Sequence, residues 1–486
     1  MELEQHQKDG STFIATSPVN CGILAHITGS GKSITTITGM IKSYAIRKIP
    51  KHIIVATVSS YPEICNDMET EFKHKLFEIQ SAADFENFML SDKVFGITKY
   101  GILKRIDPFL IAEYVATHGT SMYFDEAHQL KNSSTQIQKH LQIYRRHLKG
   151  LWLITATPIM SSAEDLQGLF WLLAPKLLGS LEQFYKTFSN YRMICYTKKG
   201  EIRNCRCGGK LVYNGSIFEC KRCGNSYTPK KQIEPISYKN QNLLAKLTAP
   251  FIHSFFPPRD LRYFSITTTL DANASANYNA IAKSVLTDGE EQHSARMIKL
   301  QHYLNSSDTK QKILSELIKT LKSQGVIVYA SYHKTVEVIE EILKTQKIEY
   351  KSITGKLNSK SRKQVRDWFR SGAENKVLII TDAGGASLNL QATNNLIFYD
   401  IPFSVGNFIQ VVGRVARYFS AFKHYNIFFP IVKGTLDEYK FNYISAKKDL
   451  IDQVLQNKCL PQGLLDAYNA DELRNLRSKT LWNREE

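Results

Sequence analysis

The stretch His26-Ile27-Thr28-Gly29-Ser30-Gly31-Lys32-Ser33 constrains this chain more than any other. It follows an apolar, β-prone run, Gly22–Ile27, and precedes a segment, Ile34–Ile46, that can coil as a helix. A strand that turns tightly into a helix through glycines is the local architecture of a phosphate-binding loop. Gly29 and Gly31 permit the turn, and the loop amides, that of Ser30 included, would cradle phosphates. Lys32 can neutralise the β- and γ-phosphates, and Ser33 can offer its hydroxyl to Mg²⁺. The strict pattern opens with glycine where this chain has His26, so the loop alone leaves an ordinary glycine-rich turn open.

The surrounding rhythm extends that reading. Short β-rich runs alternate with longer amphipathic segments: Gly22–Ile27, His52–Val58, Val94–Thr98, Met122–Phe124 and Leu151–Thr155. The same alternation returns after residue 300, in Val326–Ala330, Val377–Thr381, Leu396–Tyr399 and Ile427–Ile431. Strands separated by helix-length segments predict parallel α/β sheets, and 486 residues are too many for one ordinary core. The expected organisation is a first α/β lobe at 1–175, an insertion and linker at 176–269, a second lobe at 270–446 and a charged helical tail at 447–486.

Three further segments carry chemistry. Asp125-Glu126-Ala127-His128 closes the run Ser121–Phe124, which puts two carboxylates at the C-terminal end of a strand, where open α/β sheets bind ligands. Asp125 would hold Mg²⁺, and Glu126 would orient and deprotonate an attacking water. Thr155-Ala156-Thr157-Pro158 ends another predicted strand. In the second lobe, Gln410-Val411-Val412-Gly413-Arg414-Val415-Ala416-Arg417 places Arg414 and Arg417 on one helical face. Two such arginines can reach a γ-phosphate across a cleft, as arginine fingers do.

In this order the segments resemble the superfamily 2 helicases across about residues 3 to 435, and more narrowly the SWI/SNF-like translocase branch. Leu3-Glu4-Gln5-His6-Gln7 with Gly10 resembles the branch's opening motif, whose glutamine contacts adenine. Asp125–Asn132, Thr155–Met160 with Asp165–Pro175, Leu247–Phe251 with Pro257-Pro258, and Ala383-Gly384-Gly385 with Leu388–Gln391 resemble later motifs. The resemblance implies two RecA-like lobes that hydrolyse ATP between them, with Gln7 and Gln410 in the nucleotide-binding set. It also implies movement along DNA, duplex or branched, and makes RNA the less favoured track. Two places depart from the branch: His26-Ile27 replaces an acidic pair, and His253-Ser254-Phe255-Phe256 stands where an arginine-rich element is usual.

Composition agrees with a polyanionic partner. Lys and Arg exceed Asp and Glu by 63 to 45, a formal charge of +18. The N-terminus lacks the apolar core of a secretory signal, and no apolar run approaches the ~20 residues of a membrane span. A soluble, intracellular protein without membrane contact is the expectation. Of eight cysteines, four cluster: Cys205-Arg206-Cys207 and Cys220-Lys221-Arg222-Cys223, twelve residues apart. Four thiolates on two knuckles suit tetrahedral structural Zn²⁺, a small zinc-ribbon-like module at about 203–228. Two alternatives stand beside the translocase: a fork-remodelling or strand-separating helicase, and a non-catalytic zinc-ribbon factor whose lobes are a scaffold.

Overall fold

The computed structural model describes residues 2–160, 162–197, 200–201, 207, 209–213, 217–227, 230–257, 260–284, 290–355, 357–382, 390, 392–416 and 422–445. Arg417, Cys205, the glycine pair at 384–385 and the tail from 447 lie outside the described residues.

In chain order the first strands are β1 (Cys21–His26), β2 (Lys51–Ala56), β3 (Phe77–Ile79), β4 (Phe95–Lys99), β5 (Thr120–Asp125) and β6 (Gly150–Ile154). An inserted group follows: β7 (Ser189–Thr197), β8 (Gly200–Glu201), β9 (Leu211–Tyr213), β10 (Phe218–Cys220), β11 (Ser226–Tyr227) and β12 (Lys230–Tyr238). The last are β13 (Ile252–Phe255), β14 (Asp260–Thr268), β15 (Val326–Tyr329), β16 (Glu349–Ile353), β17 (Lys376–Ile380), β18 (Asn395–Phe398) and β19 (His424–Val432).

Two parallel sheets form the two lobes, each covered by helices. The first runs β13-β1-β6-β5-β2-β4-β3 and the second β14-β19-β18-β15-β17-β16. Strands β2, β6 and β15 are buried at every position, which explains their continuous apolar runs. Lys51 can sit inside because its Nζ donates to the carbonyls of Phe88, Ser91 and Lys93 at 2.8, 2.7 and 2.8 Å. The segment read as insertion and linker does more than connect: Ile252–Phe255 joins the first sheet beside β1, and Asp260–Thr268 joins the second beside β19. Between them and the first lobe, β7 and β12 pair antiparallel into a long ribbon, and β9 to β11 make a small sheet beyond it.

The helix Val405–Val415 of the second lobe meets the first directly. Gly406 N donates to Met160 O at 2.9 Å, and Ser404 Oγ to the same oxygen at 3.2 Å. A Cβ on Gly406 would fall 2.1 Å from Met160 Sδ, and one on Gly413 would fall 1.6 Å from Thr28 Oγ1. Glycine at both positions lets the helix lie against the phosphate loop and the Thr155–Pro158 segment.

The second lobe contains a buried ionic network. Lys310 Nζ pairs with Asp437 Oδ2 at 2.7 Å, both side chains fully buried. Gln301 and Asn305 complete the hydrogen bonds: Gln301 Nε2 donates to Asp437 Oδ1 at 3.0 Å, and Lys310 Nζ to Asn305 Oδ1 at 3.0 Å. Lys440 Nζ donates to Gln301 Oε1 at 2.7 Å, and burial pushes its amine down to about 8. Removing one partner of such a pair leaves a bare buried charge. Asp437→Ala is expected to weaken the second lobe by about 3 to 5 kcal/mol, and Lys310→Met with Asp437→Leu to recover most of it. Urea unfolding followed by hydrogen exchange in the second lobe measures both; equal stability of Asp437→Ala and wild type would contradict the network's role.

Candidate active site

The candidate site is built from the C-terminal ends of β1, β5 and β6 in the first lobe and the helix Val405–Val415 in the second. Strand β1 ends at His26, and the loop turns through Ile27–Gly31 into the helix Lys32–Arg47. Gly29 and Gly31 hold φ values of 77° and 79°, the left-handed region that a side chain would strain. Ser30 N and Ser30 Oγ both donate to Ile27 O, at 3.3 and 2.8 Å, which tightens the turn. The loop amides and Lys32 thus open a 16-residue helix, a geometry that attracts phosphate.

The helix Gln5–Thr16 grips this loop from outside. Gln7 Nε2 donates to Ser30 O at 3.3 Å, and His6 Nε2 lies 2.9 Å from the same oxygen. Gln7 Oε1 accepts from Glu4 N at 3.0 Å, so its amide is oriented. A Cβ on Gly31 would fall 2.2 Å from Gln7 Nε2, a second reason for glycine there.

Asp125 and Glu126 stand at the end of β5, and they are not equivalent. Ser33 and Asp125 meet at the rim of one small, largely apolar cavity that Thr36, Ile37, Ile54, Ile64, Tyr123 and Ile154 otherwise line, which brings a hydroxyl and a carboxylate together beside the loop. Burial, then repulsion from Glu126, pushes the Asp125 carboxyl up to about 6, opposed by Ser60 and Lys32. Burial also raises Glu126, but His128, Lys32 and Arg414 outweigh it and hold that carboxyl below its ordinary value. Glu126 has φ 48°, a left-handed conformation unusual for a non-glycine residue, at the start of the short 3₁₀ turn Ala127–Leu130. Its Oε2 lies 3.3 Å from His128 Nδ1 and makes no hydrogen bond of good geometry.

His128 Nδ1 also lies 3.3 Å from Thr155 Oγ1, which accepts from Thr157 N at 3.1 Å. Gln410 Nε2 reaches Thr157 Oγ1 from the second lobe at 3.5 Å. Asp165 accepts from Met160 N at 2.8 Å and pairs with Lys131 Nζ at 3.1 Å, which fixes the segment after Thr157. Arg414 is buried, and among the described residues its Nη1 has no hydrogen-bond partner. Burial lowers its guanidinium, while Asp382, Tyr329 and Glu126 pull it back. An arginine stays charged in such a setting, so an unpaired guanidinium nitrogen near Glu126 is a place made for an anion.

The structure therefore gathers Gln7, Gly29, Ser30, Gly31, Lys32, Ser33, Asp125, Glu126, Gln410 and Arg414 around one cleft. Sequence reasoning missed His6, Ser60, Tyr329 and Asp382. His6 adjoins Gln7 in the opening motif, and Asp382 directly precedes the Ala383-Gly384-Gly385 motif at the end of a predicted strand, so both could have been noticed; Ser60 and Tyr329 carry no signal of their own.

Away from the cleft, the Sγ atoms of Cys207, Cys220 and Cys223 all lie within 4.8 Å of one another. Cys207 and Cys220 are 3.5 Å apart, and Gly209 N and Arg222 N each donate to a sulfur at 3.4 Å. Three thiols converging with amide donors fit a thiophilic cation. Among the described residues, no helix is long and apolar enough to cross a membrane.

The SNF2-related domain pattern matches residues 6–252, just over half the chain, and the helicase conserved C-terminal domain pattern matches residues 309–419. Human Chromodomain-helicase-DNA-binding protein 1 is 22% identical over 90% of this chain, which spans only 26% of that protein. The uncharacterized ATP-dependent helicase YqhH of Bacillus subtilis (strain 168) is 25% identical, with 93% of this chain and 79% of that protein aligned. Among solved structures, a point variant of S. cerevisiae Dbp5 bound to RNA and ADP BeF3 shares the fold. Its TM-score is 0.50 at 14% identity, covering 99% of this chain and 94% of that one. The chain belongs to the SNF2-related family, and its two parallel-sheet lobes have the RecA-like fold.

Proposed function

We propose that this protein hydrolyses ATP between its lobes to move along duplex or branched DNA. The observation that carries the reading is the buried Arg414, presented by the second lobe in the electrostatic reach of Glu126 on the first, with one guanidinium nitrogen that has no partner among the described residues. A group so placed completes a phosphoryl-transfer site only when the lobes are together. In this reading Gln7 recognises the base, the Gly29–Ser33 amides and Lys32 hold the phosphates, and Ser33 and Asp125 hold Mg²⁺. Glu126 orients and deprotonates the water, Arg414 with Arg417 stabilises charge on the transferred phosphoryl, and Gln410 ties the lobes at Thr157. The formal charge of +18 and the family's DNA-binding relative support DNA as the track.

We also assign the cysteine group to one structural Zn²⁺, held by Cys207, Cys220 and Cys223 with Cys205 as the fourth ligand. Burial raises the Cys220 thiol, but amide donors from Arg222 and Cys223 outweigh it and favour the thiolate a metal needs.

Steady-state ATPase with no nucleic acid, duplex, forked and single-stranded DNA, and structured RNA at fixed low salt tests the motor. Stimulation chiefly by duplex or forked DNA is expected, with Lys32→Ala, Glu126→Gln and Arg414→Ala each lowering kcat by about 10² or more. A wild-type rate in Lys32→Ala or Glu126→Gln would overturn the site, and preferential stimulation by RNA would overturn the track. Elemental analysis of protein purified without chelator is expected to find one zinc per chain, lost in Cys220→Ser; finding none refutes the metal.

A further inference from the structure

We propose that His253 and Phe255, on β13, are positioning residues that pass changes in the phosphate loop to the connection between the lobes. This rests on the nucleotide site assigned above and concerns how its state leaves the first lobe.

Three contacts join the loop to β13. The ring of His6, whose Nε2 holds Ser30 O at 2.9 Å, lies flat on Phe255 with centroids 3.7 Å apart and 3° between planes. His26, the residue before the loop, places its Nε2 2.9 Å from His253 Nδ1. Ile27 N donates to Phe255 O at 3.1 Å, continuing the β1–β13 ladder into the loop itself. Ser30, His26 and Ile27 thus each have a path to the same short strand.

That strand is the chain's route out of the lobe. Only residues 256–259 separate β13 from β14, the edge strand of the second sheet. Four residues span at most about 14 Å, so a shift at the end of β13 occurs close in the chain to the edge strand of the second sheet.

The histidines act here as neutral groups. His26 is fully buried, and burial with the neighbouring His253, Lys32 and His6 drives its imidazole down to about 2. Burial lowers His253 as well, against the opposing charge of Asp9. Among the described residues His26 Nδ1 has no hydrogen-bond partner. Leaving a bare acceptor costs less than leaving a bare donor, so the favoured tautomer carries its proton on Nε2 and donates it to His253. Gly10 keeps the ring in place from the other side: a Cβ there would fall 2.9 Å from His26 Cε1.

Hydrogen exchange with and without a non-hydrolysable ATP analogue and Mg²⁺ reads the link directly. In wild type, exchange is expected to slow in peptides from the loop, 27–36, and also in those covering 252–268. In His253→Ala, and independently in the milder Phe255→Leu, the loop should still respond while the 252–268 response falls at least about tenfold. Phe255→Tyr, which keeps the stack, should restore it. DNA stimulation of the ATPase should fall in step, with the KM for ATP within about twofold of wild type. A wild-type loop that responds while 252–268 does not, or an undiminished response in both variants, overturns the proposal and leaves the nucleotide site standing. A wild-type loop that does not respond overturns the nucleotide site and the proposal with it. Matched melting temperatures separate a lost link from a lost fold.

Discussion

Strands buried on both faces have nowhere to put charge except at their ends, and the first lobe's phosphate loop and carboxylates follow from that constraint. In the first sheet Asp125, Thr155 and the phosphate loop all lie just past the last buried residue of a strand. In the second, Asp382 and Ser331 do the same after β17 and β15. Because the strands within each sheet are parallel, these ends collect on one edge. The interlobe contacts of Gly406 and Gly413 bring the helix Val405–Val415 against that edge of the first lobe.

The cleft then separates two carboxylates by environment rather than by type. Asp125 and Glu126 are adjacent in sequence and both buried, yet one is raised to about 6 and the other held low. The difference comes from what faces each: Asp125 has burial and its neighbour's charge against it, whereas Glu126 has His128, Lys32 and Arg414 in its favour. Adjacent carboxyl groups in different surroundings need not do the same work. The left-handed backbone at Glu126, unusual for a residue with a side chain, ends the strand's path at the second carboxylate.

Much of the fold was legible because continuous apolar runs mark strands buried on both faces; β1, β2, β4, β5, β6, β15, β17, β18 and β19 all carried that signal. The strands that gave none are edges or short. Asp260–Thr268 is largely exposed and mixes Asp, Arg and Ser with its aromatics, Ile252–Phe255 interrupts its apolar residues with His-Ser, and Phe77–Ile79 has three residues. The site was legible where chemistry is local in sequence, as in Gly29–Ser33 and Asp125-Glu126. It was illegible where partners meet only through the fold: Ser60 at Asp125, or Asp382 and Tyr329 at Arg414.

The two places where the sequence departs from its family's pattern turn out to be one place in space. His26-Ile27 and His253–Phe256 lie more than two hundred residues apart, yet His26 is hydrogen-bonded to His253, Ile27 to the backbone of Phe255, and Phe255 carries His6. A buried imidazole without a partner would be costly, and a second imidazole on the adjacent strand removes half of that cost. Neither departure is intelligible alone. Together they make a neutral, stacked and hydrogen-bonded joint at the root of the phosphate loop, so that the loop is tied to β13 by shape and direction rather than by charge. A joint of that kind is insensitive to salt, whereas contacts with a nucleic-acid backbone are not.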